Sequence, residues 1–321
     1  MLLRSALDRE ALERERQVIL EEIKMYEDSP DELVQDLCAQ TIWNGHPLGR
    51  PGIGTVETVQ RLRREDLLAY LEQRYRPNNV LVAVAGDVRH STVVRLVADA
   101  LGAWNGSAPP MERDHPTARP DILLRHKETE QVHLSLGTRG LPQADEARYV
   151  MAILDNILGG GMSSRLFQEI RERRGLVYTI TSYHAAYREG GLFVIYGAMS
   201  PSAAPQVTAL ILEEIDKVKE RISAAELHRA KESLKGGIML SLESTGSRMT
   251  KLARSQLYYG RQLSLDEILA RVDGVTADEV QAMAREVLVP ERMAMAAIGP
   301  FREDGRLAAQ LREAFRAEVR V

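Results

Sequence analysis

Two stretches of the sequence align without a gap: "VQRLRREDLLAYLEQRYRPNNVLVAVAG" at residues 59–86 and "VDGVTADEVQAMAREVLVPERMAMAAIG" at residues 272–299. The alignment pairs Pro77 with Pro290 and Gly86 with Gly299, and the sequence separation is the same in both pairs. Each stretch predicts an amphipathic helix, a proline turn and an apolar strand ending at the glycine. We therefore interpret the chain as a duplicated α+β unit.

The repeat continues upstream after a slippage of two positions, which pairs Leu12 with Leu227 and Ile23 with Ile238. In the second unit, which starts near residue 120, this matched part begins only at Leu227, whereas in the first unit it begins almost at Met1. The repeat therefore predicts that the first unit lacks its front half.

Two acids lie on the apolar stripe of the first predicted helix. At 3.6 residues per turn, Glu15 and Glu22 share one face with Leu12, Ile19 and Ile23. Because a carboxylate is costly to desolvate, acids on such a stripe indicate a metal, a cation or an active site. The alternative is a short solvated helix with ion pairs, in which the stripe ends at its edge.

The second copy of this helix does not keep the acids. Glu15 aligns with Ala230 and Glu22 with Gly237. Because the second copy is predicted to form the same helix without these carboxylates, the fold does not require them. The repeat therefore favours a functional interpretation of Glu15 and Glu22.

The composition is that of an ordinary globular protein long enough for two domains, with 321 residues, 44% of them hydrophobic and 27% charged. The net charge of -4 and a pI near 6.1 give no electrostatic case for binding nucleic acid or an anionic membrane.

Cys38 is the only cysteine, which excludes an intrachain disulfide framework and a thiolate zinc cluster. We expect it to be a small buried residue. No apolar run is long enough to span a bilayer, and the charged start is unlike a signal peptide, so we expect a cytoplasmic chain.

A proline-rich stretch, "NGSAPPMERDHPTARP" at residues 105–120, predicts a linker. The predicted domains are therefore residues 1–104 and residues 121–321. Hydrophobic patterns elsewhere predict helices at residues 64–75, 91–104 and 145–158. They predict strands at residues 80–86, 121–126, 131–140, 176–183, 191–198 and 292–299. Ser29 and Pro30 are typical of a helix start, and capping boxes are predicted to begin at Ser223, Ser264 and Thr276.

Several blocks resemble one known family. The stretches "ERERQVILEEIKMYEDSPDEL" (13–33), "GHPLGRPGIGT" (45–55) and "RYRPNNVLVAVAGD" (74–87) are similar to the latter half of the N-terminal domain of the M16 peptidases, the insulinase, pitrilysin and mitochondrial processing peptidase group. The stretch "LGGGMSSRLFQEIRERRGLVYTITSYHAAYREGGLF" (158–193) resembles their C-terminal domain. The implied fold is α+β, with two related M16-type (LuxS/metallohydrolase-like) units, mostly antiparallel sheets covered by helices, the first unit incomplete.

The resemblance also implies a zinc site. In the family, two histidines of an H-x-x-E-H motif and a glutamate on a later helix hold the ion. By position Glu22 matches that glutamate, and Glu15 matches an acid that supports the site from behind the ligands. Carboxylate oxygen is a suitable zinc ligand, and a further carboxylate orients such ligands.

The histidine motif is absent from this sequence, which has seven histidines and no pair in the H-x-x-E-H or H-E-x-x-H spacing. The pair that comes nearest, His126 and His133, flanks a predicted turn, and we interpret both as ordinary surface or sheet residues. In the family the motif lies in the front half of the first unit, the part that the repeat predicts to be missing.

In the second unit, Arg171 and Tyr178 match an arginine and a tyrosine that the family directs at the substrate. A guanidinium and a phenolic hydroxyl are suitable donors to a developing oxyanion. Without the resemblance, Arg171 would be assigned to a charged helix face and Tyr178 to strand packing.

The stretch "GGGMSS" (159–164) follows a predicted helix and does not open one, so it indicates helix termination and not a phosphate-binding loop. Ser163 and Ser164 lack the G-x-S-x-G pattern of a serine hydrolase.

Two functions remain open on the sequence. The first is an M16-type zinc metalloendopeptidase that acts on unfolded peptides, incomplete and inactive alone because a catalytic zinc needs about three protein ligands. The second is a non-catalytic partner subunit or binding protein of an M16 peptidase, or a homo-oligomer. No nucleic-acid or membrane partner is expected.

Overall fold

The structure is a computed structural model that describes residues 3–111, 113–302 and 305–317. The chain forms two compact units, each assembled from three segments. The first comprises Met1–Met25, Gly52–Arg113 and Ile238–Leu263, and the second comprises Tyr26–Pro51, Asp114–Gly237 and Ser264–Val321. The first unit thus includes residues 238–263 of the second sequence repeat, and the second unit includes residues 26–51 of the first. The predicted linker holds no helix or strand in its described residues, and the domain boundary there stays a prediction.

Twelve α-helices and five strands lie within the described residues. The helices are α1 (Arg9–Glu27), α2 (Pro30–Ile42), α3 (Val56–Arg61), α4 (Arg64–Arg74), α5 (His90–Leu101), α6 (Arg148–Leu158), α7 (Ala204–Glu220), α8 (Ala224–Ser241), α9 (Thr245–Tyr259), α10 (Leu265–Gly274), α11 (Ala277–Val287) and α12 (Arg306–Ala317). The strands are β1 (Ile122–His126), β2 (Val132–Gly140), β3 (Val177–Ala186), β4 (Gly191–Met199) and β5 (Ala294–Gly299). A π-helix at Phe167–Glu172 precedes β3. No described helix combines the length and the apolar content needed to cross a membrane.

The helix boundaries confirm the repeat. Helices α4 and α11 are equally long, and both of their ends are offset by the separation that relates Pro77 to Pro290. The short 3-10 turns Pro77–Asn79 and Pro290–Arg292 share this offset. The first residues of α2 and α9 are related by the separation that pairs Leu12 with Leu227. The two copies therefore use the same helical elements in the same order.

The second unit is built on a five-stranded sheet with the strand order β1-β5-β2-β4-β3. Strands β1 and β5 are parallel and the other neighbours are antiparallel, with Leu134 of β2 opposite Ala297 of β5. The predicted fold class, α+β with a mostly antiparallel sheet covered by helices, is confirmed for this unit.

Helix α2 packs on one face of this sheet. Its buried residues Leu33, Val34 and Leu37 contact Ala296 and Ile298 of β5. The helix lies close to the sheet at Gly137 of β2, where a Cβ atom would lie 2.5 Å from the Cys38 Sγ atom, so only glycine fits there. As expected, Cys38 is buried, and burial raises the pKa of its thiol to about 12.

The opposite face of the sheet is covered as well. Residues that alternate with the α2 contacts, including Met295, Ala297 and Phe193, are fully buried, and α6, α7 and α11 pack together in the same unit. Strand β5 is consequently buried along its whole length, as expected for a strand with both faces covered.

The first unit contains helices and, among its described residues, no strand. The predicted strand at residues 80–86 is wrong: the segment pairs with no other strand, and Val82 is 50% exposed. The equivalent strand β5 lies between β1 and β2, and the first unit holds no counterpart of either neighbour among its described residues. Without them the backbone N–H and C=O groups of residues 80–86 have no ladder to join.

Candidate functional site

Helix α1 carries Glu15 and Glu22 on the stripe that the sequence predicts, and both residues are exposed to solvent. Along the same stripe Ile23 is buried and Leu12 and Ile19 are partly buried. Neither Glu15 nor Glu22 forms an ion pair with any described residue.

Other acids of α1 do have cations beside them. Glu13 lies 3.0 Å from Arg16, and Glu21 lies 2.7 Å from Lys24. The Glu21–Lys24 pair is exposed on both sides and contributes little to stability, whereas Arg16 in the other pair is largely buried. The two acids without a pair among the described residues are therefore the two that the resemblance assigns to a metal site.

Arginine side chains fix α1 within the first unit. Arg16 donates to the carbonyl oxygens of Val59 and Leu62, the latter at 2.8 Å. Arg64 donates to the carbonyl oxygen of Leu7 at 2.7 Å, just before α1 begins. The helix that carries Glu15 and Glu22 is thereby anchored to the segment that contains α3 and α4.

A metal ion needs more ligands than this face offers. Among the described residues, no group of three or more His, Cys, Asp or Glu side chains could hold a metal ion. Glu15 and Glu22 supply at most two carboxylates, whereas a catalytic zinc site needs about three protein ligands. The described residues of this chain alone do not fit a zinc ion.

Arg171 and Tyr178 lie beside each other in the second unit. The Arg171 guanidinium carbon is 5.3 Å from the centroid of the Tyr178 ring and 4.7 Å from that of Phe167. Both distances are in the range of cation–π contacts. The Tyr178 side chain is 76% exposed, so its hydroxyl is open to a ligand. The structure thus brings together two of the four predicted site residues.

Local backbone features set this geometry. Arg171 lies in the π-helix, a rare element that often occurs at functional sites. Gly175, with a φ of +63°, then turns the chain into β3. The pairing of β3 with β4 shifts register between Val177 and Thr179, so Tyr178 is the extra residue of a β-bulge. Bulges re-aim side chains, and this one is the feature that projects Tyr178 from the strand.

The histidines considered as a metal pair are separate. His126 is exposed and lies 3.5 Å from Glu128, whereas His133 is half-buried and hydrogen-bonded to the Tyr196 hydroxyl at 3.0 Å. Burial lowers the pKa of His133. Both are ordinary surface or sheet residues, as predicted.

The glycine-rich stretch ends α6, as predicted. The N–H groups of Gly159 and Gly160 donate to the Asp155 carbonyl oxygen at 3.0 and 2.8 Å. A Cβ atom on Gly159 would lie 2.5 Å from the Ser182 backbone nitrogen, so glycine allows the helix end to approach β3. The Ser182 hydroxyl also donates to the Asp155 carboxyl group at 2.5 Å.

This contact leads to a pH prediction. Burial raises the pKa of Asp155 to about 6, although the hydrogen bond from Ser182 lowers this pKa in part. A carboxyl group whose pKa is higher in the folded than in the unfolded chain binds its proton more tightly when folded, so its contribution to stability falls as the pH rises from about 4 through 6. Asp155→Asn keeps an acceptor for Ser182 and removes the charge. We expect its stability relative to the parent chain to increase between pH 4 and pH 8 in urea unfolding, and an equal difference at both pH values would contradict the assignment.

Comparison with known proteins shows the family of this chain. The family described as "Peptidase M16 inactive domain" matches residues 61–234, and "Insulinase (Peptidase family M16)" matches residues 1–56. A zinc protease of Bacillus subtilis, YmxG, is 38% identical over 94% of this chain and 73% of its own length. The chain belongs to the M16 peptidase family.

A second relative of this M16 chain is the zinc protease SCO5738 of Streptomyces coelicolor, 41% identical over 94% of the chain and 68% of its own length. Both relatives are described as uncharacterized. Among solved structures, an M16 inactive-domain protein from Pseudomonas fluorescens has a TM-score of 0.86 at 21% identity, covering 93% of this chain and 73% of its own. That similarity establishes the fold alone.

Proposed function

We propose that this chain supplies the glutamate ligand and the substrate-facing residues of an M16-type zinc endopeptidase that hydrolyses unfolded peptides. On this proposal it is inactive alone and needs a histidine half-unit. By this term we mean the part of an M16 N-terminal domain that would precede Met1 and that carries the H-x-x-E-H motif.

The observation that carries the proposal is the pair of acids on α1. Glu15 and Glu22 have no ion pair among the described residues, while α8 has Ala230 and Gly237 at the equivalent positions. The fold therefore provides the same helix with and without the acids. Carboxylates without a structural duty are retained most simply as metal ligand and supporting acid.

The first unit also offers a place for the half-unit. Residues 80–86 match β5, which in the second unit has one parallel and one antiparallel neighbour. Leu81, Val82 and Val84 are exposed in the first unit. A half-unit that provides the two neighbouring strands would complete the ladder and cover these side chains.

Arg171 and Tyr178 would act on the substrate. Peptide hydrolysis places negative charge on the carbonyl oxygen, and an exposed phenol beside a guanidinium can donate hydrogen bonds to it. Their contact with each other limits the rotamers that both side chains sample, which favours a fixed donor geometry.

The experiment is to fuse a histidine half-unit from an M16 relative upstream of Met1 and to follow the cleavage of a quenched fluorescent peptide. We expect cleavage that a chelator stops and that is absent when the two motif histidines are replaced by alanine. A folded fusion that binds peptide without cleaving it would contradict the peptidase proposal and favour the non-catalytic partner subunit.

A further inference from the structure

A charged cavity of about 720 Å³ opens in the second unit, and neither Arg171 nor Tyr178 lines it. Its wall is formed by the segment that follows the glycines, the end of α7 and the start of α8, with Ser164, Lys217 and Arg229 among its residues. The volume is in the range of small-molecule sites. The lining of charged and hydroxyl groups does not suit an apolar ligand.

The carboxylates on the wall are already neutralised. Each has a cation within 2.9 Å: Glu169 with Arg173 and Arg174, Glu214 with Lys217, and Glu226 with Arg165. Burial alone would raise the pKa of Glu226, yet hydrogen bonds from Arg165 and Ser223 bring it below its usual value. A bound cation would have to displace these partners, so the cavity does not suit a metal or an amine.

Arg229 and the buried Ser164 hydroxyl have no partner among the described residues. Arg229 forms no ion pair or hydrogen bond with any described residue, which leaves one guanidinium charge in excess. The Ser164 side chain is 1% exposed, and its Oγ atom has no hydrogen-bond partner within the described part of the chain. A buried hydroxyl normally has a partner because leaving it unsatisfied costs free energy.

We propose that this cavity binds a small molecule through a phosphate or carboxylate group, with Arg229 and the Ser164 hydroxyl as its ligands. A guanidinium matches the oxygen pairs of both groups in a bidentate manner. The hydroxyl supplies a directed donor at the wall.

The experiment is isothermal titration of the full chain with pyrophosphate and, separately, with malonate, at an ionic strength held constant with chloride. We expect at least one probe to bind with a Kd of about 1 mM or tighter. Preference for pyrophosphate would assign a phosphate group, and preference for malonate a carboxylate group.

Two variants test the proposed ligands. Arg229→Gln should weaken binding about tenfold or more, because it removes a charged donor. Ser164→Ala should weaken binding about fivefold while leaving the unfolding temperature without ligand unchanged or higher, because no hydrogen bond is lost there. Arg285→Gln is the matched control, an exposed helical arginine of the same unit that does not line the cavity.

The proposal would be overturned if neither pyrophosphate nor malonate bound. It would also be overturned if the Arg229→Gln variant bound the probe as tightly as the Arg285→Gln control. The proposal does not depend on peptidase activity, since binding is measured on the chain without a histidine half-unit.

Discussion

Glu22→Gln in the chain fused to a histidine half-unit should reduce bound zinc from about one ion per chain to almost none. The substitution keeps the size of the side chain but replaces a charged ligand oxygen with a neutral amide. With about three protein ligands at a catalytic zinc, the loss of one removes most of the affinity. Zinc is measured by elemental analysis after gel filtration.

Glu21→Gln is the matched control, because Glu21 is the neighbouring exposed acid and pairs with Lys24. We expect it to retain zinc. Glu15→Gln should be intermediate, with a metal affinity about 10- to 100-fold lower, as for acids that orient the ligands. Full zinc retention in Glu22→Gln would refute the assignment of Glu22.

Tyr178→Phe in the same fused protein should lower kcat by about 100- to 1,000-fold, the usual cost of removing one donor to a developing oxyanion. The KM should change little, because the ring and its contact with Arg171 remain. The side chain is 76% exposed, so the unfolding temperature should not change. Steady-state cleavage of a quenched peptide separates the two constants.

Tyr187→Phe serves as the control for this variant. Tyr187 is also partly exposed in the second unit, and its ring packs edge-on against Trp43, a contact that phenylalanine preserves. A Tyr178→Phe enzyme with unchanged kcat would assign Tyr178 to strand packing, the interpretation that the sequence left open.

The elements that the sequence predicts well are those with local causes. Helix α11 begins where Thr276 and Glu279 form a capping box, and the cap bonds are present at 2.8 and 3.3 Å. The duplication is also visible because turns and caps recur at a fixed offset. Local hydrogen bonding and spacing determine such features, so they can be predicted without tertiary structure.

The features that the sequence does not predict depend on distant partners. The apolar stripe of α2 indicates burial but not the sheet in the second unit on which it packs. Residues 80–86 have the composition of a strand, yet a strand forms only when neighbours are present. The bulge at Tyr178 and the cavity near Ser164 arise from register and from the packing of α7 and α8, which leave no local signal.

The most direct test of the central claim uses the chain as it stands. We predict that the purified protein, exposed to zinc and then gel filtered, retains no stoichiometric metal and does not cleave a quenched fluorescent peptide. Stoichiometric zinc with chelator-sensitive cleavage would contradict the account, because the ligands would then come from the histidines of this chain or from another molecule.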